Sequence, residues 1–127
     1  MRAILDTNVV IAGGFEAVGY EVAVTSLTYA ELAHGVSSAA DGAIRAVRGA
    51  ELHRARRLLG DGLPFDDDAA ASYGHITALV HARGRHGRAR TTDLMIAAIA
   101  HANGAVVITR NVNDFAGLEG LVQIIPA

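Results

Sequence analysis

The sequence has 127 residues, 51% of them apolar, no cysteine and a formal net charge of −2. That length holds one domain with a real core, and the missing thiols exclude disulfides and cysteine-held metal sites. The near-neutral charge argues against a protein that coats polyanions indiscriminately, and because all eleven basic residues are arginine, chemistry that needs a lysine, such as a P-loop or a Schiff base, is excluded as well.

In chain order, Arg2–Leu5 is a short apolar run that predicts a buried strand. Asp6 and Asn8 interrupt it, so neither a secretory leader nor a membrane span is expected there, and no later run reaches the ~20 apolar residues of a span. The expected setting is cytoplasmic. Asn8–Gly13 predicts a helical turn stopped by Gly13 and Gly14. Val22–Thr25 predicts a second strand and Thr28–Val36 a helix, with Thr28 and Glu31 at capping-box spacing. Ala43–Leu59 has a helical pattern with a break expected near Gly49, Leu63–Phe65 predicts a short strand, and Asp67 to about Arg83 a helix with an acidic start. His81–Arg90 is glycine-broken and basic, hence a loop. Thr92–Asn103 is apolar on nearly every face and predicts a buried helix ended by Asn103 and Gly104. Ala105–Thr109 and Val122–Ile125 predict the last strands. Strands alternating with helices imply a single α/β domain over residues 1–127 with a mostly parallel sheet.

Sites in such sheets form beyond the carboxyl ends of the strands. Asp6 directly follows the first strand, Glu31 lies on the helix after the second, and Asp114 follows the Ala105–Thr109 strand. Asp93 opens the buried helix and joins them if that helix starts at the same edge. Clustered carboxylates repel one another, and a hard divalent cation such as Mg²⁺ or Mn²⁺ removes the conflict. Such a cation activates water and stabilises charge on a phosphodiester. The acid set therefore suggests metal-assisted phosphodiester hydrolysis. Thr7, Asn8 and Thr109 are expected beside the pocket as hydrogen-bonding residues that orient carboxylates or water.

Four segments also resemble, in order and spacing, the motifs of the PIN-domain family: Leu5-Asp6-Thr7-Asn8-Val9, Thr28-Tyr29-Ala30-Glu31-Leu32-Ala33-His34-Gly35, Thr92-Asp93-Leu94-Met95-Ile96-Ala97-Ala98, and Val107-Ile108-Thr109-Arg110-Asn111-Val112-Asn113-Asp114-Phe115. The compact length and the Gly120-Leu121-Val122 … Ile125-Pro126 ending are similar to the VapC-type toxins of that family. The resemblance implies a three-layer α/β/α fold and a Mg²⁺- or Mn²⁺-dependent endoribonuclease that leaves 5′-phosphate and 3′-hydroxyl ends. Asp6, Glu31, Asp93 and Asp114 are the implied metal ligands and catalytic acids. It further implies a homodimer, an RNA substrate, and a VapB-type antitoxin whose C-terminal segment covers the acidic pocket. In one departure, Asn111 stands where some members carry Asp, so Asp114 must supply the fourth charge and Asn111 is left a supporting role.

Each acid also has a purely local explanation. Asp6 caps a helix, Glu31 completes a capping box with Thr28, Asp93 favours a helix dipole, and Asp114 suits a turn. Asp66, Asp67 and Asp68 are assigned to a helix start. Arg83, Arg85, Arg88 and Arg90 are the candidates for RNA contact, by their suitability for phosphate, whereas Arg54, Arg56 and Arg57 read as a solvated helix face. None of the six histidines has metal-ligand spacing. A phosphoacceptor receiver domain is disfavoured by the absent lysine. A catalytically weak PIN domain acting as a binding module is the alternative that Asn111 keeps open. Small and apolar residues in Thr28–Val36 and Ala43–Leu59 are candidates for dimer or antitoxin contact.

Overall fold

The computed structural model describes residues 1–13, 15, 19–84 and 91–127. Its elements in order are β1 (Arg2–Leu5), α1 (Thr7–Ile11), β2 (Glu21–Ala23), α2 (Ser26–Ser37), α3 (Gly42–Leu59), α4 (Asp67–Ala82), α5 (Thr91–Ala102), β3 (Val106–Thr109), a 3₁₀ turn at Val112–Phe115, and β4 (Ile124–Pro126). The four strands form one parallel sheet in the order β2-β1-β3-β4. From β1 the chain first adds β2 on one side and later β3 on the other. The crevice between the carboxyl ends of β1 and β3 is therefore a topological switch point, the usual ligand position in such sheets.

Side-chain alternation along the two central strands explains the layers. Ile4 and Val107 point to one face and pack with α4 and α5 through Ile76, Val80, Ile96, Ile99 and Phe115. Ala3, Leu5, Val106 and Ile108 point to the other and pack with α1, α2 and α3 through Val9, Val10, Tyr29 and Ala55. This is the expected α/β/α arrangement. The prediction that α5 is buried holds: Leu94, Ile96, Ala97, Ala98, Ile99 and Ala100 are all buried. Antiparallel pairing of α4 and α5 is visible in the Ser72 Oγ to His101 Nδ1 hydrogen bond of 2.7 Å, which joins the start of one helix to the end of the other.

Three expectations are corrected. The helix over Ala43–Leu59 is unbroken at Gly49, where an added Cβ would meet nothing within 4 Å. An exposed helix tolerates one glycine at a cost of about 1 kcal/mol. Leu63–Phe65 is not a strand: only Leu63 bridges, in parallel to Thr25, with its N–H donating to Val24 O at 2.8 Å and its carbonyl accepting from Ser26 N at 3.0 Å. The cap of α2 is Thr25, whose hydroxyl accepts from Thr28 N, so Thr28 and Glu31 form no capping box. Asp66 caps α4 through Ala69 N, with Asp67 and Asp68 in its first turn, as the sequence suggested.

The Leu63 bridge needs a bare backbone before it. A Cβ on Gly62 would lie 2.6 Å from Ser26 N and 2.8 Å from Thr25 C, both main-chain atoms that cannot move aside cheaply. Gly62→Ala is expected to cost about 1–3 kcal/mol by overpacking, read as a lowered midpoint in urea. An unchanged midpoint would show that the bridge does not bind this segment to the sheet.

Candidate active site

At the switch point, Asp6 leaves β1 and becomes the N-cap of α1, its Oδ1 accepting from Thr7 N at 2.9 Å. Its main-chain N–H donates to Ile108 O at 2.9 Å, which fixes it against the end of β3. The other oxygen, Oδ2, accepts from Thr109 Oγ1 at 2.9 Å and from Asn8 Nδ2 at 3.3 Å. One Asp6 oxygen thus caps α1, as the local explanation expects, while the other is held by Thr109 and Asn8 at the switch point.

Thr7, Asn8, Thr109 and Asn111, the expected supporting residues, all make hydrogen bonds at this end of the sheet. Asn8 spans the crevice. Its amide donates to Thr109 Oγ1 at 3.3 Å, and its Oδ1 accepts from Arg110 N at 3.1 Å. Thr109, fully buried, donates its hydroxyl hydrogen bond to Asp6 Oδ2 and accepts from Asn111 N at 3.0 Å. Asn111 enters this network through its main chain. Thr7 Oγ1 donates to Glu31 Oε1 at 2.6 Å and accepts from the buried Thr28 hydroxyl at 3.1 Å. Released from capping, Glu31 turns toward α1. The Thr28–Thr7–Glu31 relay was not legible in sequence, because it joins residues more than twenty positions apart.

Asp6 is only 3% exposed, and its hydrogen-bond partners carry no charge. Burial pushes its carboxyl above the ordinary value of 3.8, against the lowering effect of the Thr109 and Thr7 hydrogen bonds, and the nearby Asp114 carboxylate pushes it further. Asp114, half-buried on the 3₁₀ turn, is therefore within electrostatic reach of Asp6. Asp93 lies half-buried in the first turn of α5. Among the described residues, no three carboxylate or imidazole side chains stand close enough to hold one metal ion together. The donor chemistry nonetheless fits a hard divalent cation. It is all oxygen, and Asp6, a buried carboxylate raised by a second carboxylate and hydrogen-bonded among the described residues only to uncharged groups, is one that a cation would relieve.

The raised pKa fixes a sign. The folded state binds the Asp6 proton more tightly than the unfolded chain does, so this group's stabilising contribution is complete below about pH 4 and is lost as pH rises through the folded value. Without divalent metal, the melting temperature of Asp6→Asn minus that of the parent should grow more positive from pH 4 to pH 7. A difference independent of pH would mean that burial does not penalise the carboxylate.

Of the four arginines assigned to RNA, Arg85, Arg88 and Arg90 lie outside the described residues. Arg83 lies at the surface and is used within the chain: Nη1 donates to Gly117 O at 2.7 Å and Glu119 Oε2 at 2.9 Å, and Nη2 to Glu119 O at 2.9 Å. The basic character of its segment concealed that use. Arg56 stacks on Tyr29 and Arg54 on Phe15, so two of the three arginines expected on a solvated face also pack on rings.

Residues 3–119 match the PIN-domain family. The chain is a PIN domain. It is 41% identical over 103 residues to Ribonuclease VapC5 of Mycobacterium tuberculosis, covering 81% of this chain and 73% of that protein. That likeness places it with the VapC-type PIN domains. Among solved structures, a member of the VapBC family of toxin–antitoxin systems, VapBC-5 from Mycobacterium tuberculosis, superimposes with a TM-score of 0.85 at 38% identity, covering 99% of this chain and 98% of that one. The DNA-bound VapBC of Salmonella typhimurium gives 0.80 at 25% identity, again over 99% and 98% of the two chains. No described helix is long and apolar enough to cross a membrane.

Proposed function

We propose that this PIN domain is the toxin of a VapBC-type pair, an endoribonuclease that hydrolyses RNA phosphodiester bonds at a Mg²⁺ or Mn²⁺ site. The observation that carries the reading is Asp6: a buried carboxylate at the switch point, its pKa raised by burial and further by Asp114, with no cationic hydrogen-bond partner among the described residues. Asp6, Glu31, Asp93 and Asp114 would hold the cation. When bound, that ion supplies activation of water and neutralisation of charge on the phosphodiester. Thr109 and Asn8 hold Asp6 Oδ2 facing the crevice, and Thr7 orients Glu31 by accepting from Thr28 and donating to the carboxylate. Their fixed hydrogen bonds leave little side-chain rearrangement for the moment of reaction.

The partner in this reading is a VapB-type antitoxin. Glu31 borders a groove of about 300 Å³ lined also by Ile11, Leu32, Gly35, Arg48 and Glu51. Ile11 is 59% exposed there, so an antitoxin segment covering the acidic pocket would meet apolar surface beside carboxylates. A homodimer is proposed on the same footing. The outer face of α3 exposes Ile44, Val47 and Leu58, and light scattering that returned only monomer would remove that face from the account.

The test is RNA cleavage by purified, antitoxin-free protein with Mg²⁺, with Mn²⁺ and with EDTA. Metal-dependent cutting supports the proposal. No cutting of cellular RNA by folded protein under any metal would favour the binding-module reading, for which the absence of a shared three-residue metal cluster among the described residues is the supporting observation.

A further inference from the structure

The guanidinium of Arg83 closes a loop that is remote in sequence. It binds Gly117 O, Glu119 O and Glu119 Oε2, while Glu119 Oε2 also accepts from Gly117 N at 3.1 Å. The segment is thus folded around one planar fork, a geometry that an ammonium group does not reproduce. Gly117 has φ +96° and Gly120 φ +98°, backbone shapes that suit glycine and bend the chain tightly here.

This loop begins directly after the 3₁₀ turn that carries Asp114, between the buried anchors Phe115 and Leu118. The other end of that turn is already fixed, since Asn111 N donates to Thr109 and Asp114 N to Asn111 O. Arg83 itself stands at the C-cap of α4. Because α4 and α5 run antiparallel, the C-terminal end of α4 lies at the end of the pair where α5 starts and where Asp93 sits.

We propose that Arg83 is a positioning residue: its fork on Gly117 and Glu119 fixes the Asp114 turn against the α4–α5 pair that carries Asp93, and so sets how closely these acids approach one another and their affinity for a divalent cation. The inference rests on the reading of those acids as a metal site. The ion pair itself is a surface one, with the Arg83 and Glu119 side chains 41% and 75% exposed, so its effect on global stability is small and its effect on spacing is the one to measure.

The experiment is Mn²⁺ titration of the full chain followed by electron paramagnetic resonance, beside kcat and KM for RNA. Arg83→Gln should weaken Mn²⁺ binding about tenfold. It should lower kcat at limiting metal, recover at saturating metal, and leave KM for RNA unchanged. Arg83→Lys should rescue only in part. Glu119→Ala, which breaks the same clamp from its exposed side and serves if Arg83→Gln fails to fold, should weaken Mn²⁺ binding similarly, and the double variant should be no worse than either single one. Unchanged Mn²⁺ affinity in both single variants would overturn the inference. So would a raised KM for RNA with a shallower salt dependence, which would make Arg83 an RNA contact. Asp6→Asn separates the two levels: if it abolishes Mn²⁺ binding while the Arg83 and Glu119 variants do not change it, only the positioning role fails. If it too leaves Mn²⁺ binding intact, the metal site fails with it.

Discussion

Asp6→Asn is expected to lower RNA cleavage by on the order of 10³-fold or more while leaving the protein folded. The substitution is nearly isosteric. Asparagine can still cap α1 by accepting from Thr7 N, and its amide can donate to Thr109 Oγ1 in place of the long 3.3 Å bond from Asn8 Nδ2. What disappears is the negative charge that burial and Asp114 oppose in the metal-free protein. The same change should therefore raise the metal-free melting temperature at neutral pH and remove activity, the usual opposition of stability and function at a site built from clustered charge. Cleavage at the parent rate would place the chemistry elsewhere in the molecule.

Phe115→Ala should have the largest effect on folding. Phe115 is 1% exposed and lies in the core cluster that joins α4, α5 and the sheet. Truncating a buried phenylalanine costs about 3–5 kcal/mol, equivalent to a fall in melting temperature of roughly 10–20 °C for a domain of this size. Because Phe115 is the neighbour of Asp114, its ring also anchors the 3₁₀ turn. Cleavage measured well below the melting point should drop as well, whereas Phe115→Leu should retain most of both. A fall of under about 3 °C for the alanine variant would show that the ring is not the anchor.

The layers and the two central strands were legible because burial on both faces leaves a plain signal. Ala3 to Leu5 and Val106 to Ile108 are continuous apolar runs, and α5 is apolar all round. Asp6 was legible too, as the first polar residue past a buried strand. What was hidden depends on contacts distant in sequence. Thr28 and Glu31 have the spacing of a capping box, but Thr25 sits one turn earlier at the end of the extended segment and takes the cap. Nothing local distinguishes Thr25 from Thr28; the Leu63 bridge to Thr25 fixes where extension ends. Gly49 looked like a break because glycine is a poor helix former, and the surrounding residues of α3 carry the helix through it. Arg83 stood in a run whose composition suggested phosphate binding. Its partners lie 34 and 36 residues away, so only the folded chain shows that its fork is used within the protein.

The most direct test of the central claim is the chemistry of the RNA ends left by the parent protein in Mg²⁺ and in EDTA. In the proposed function the acidic site acts on water through a bound cation, so cleavage should require the metal and leave 5′-phosphate and 3′-hydroxyl ends. Cleavage that persists in EDTA, or that leaves 2′,3′-cyclic phosphates from attack by the RNA's own 2′-hydroxyl, would contradict it.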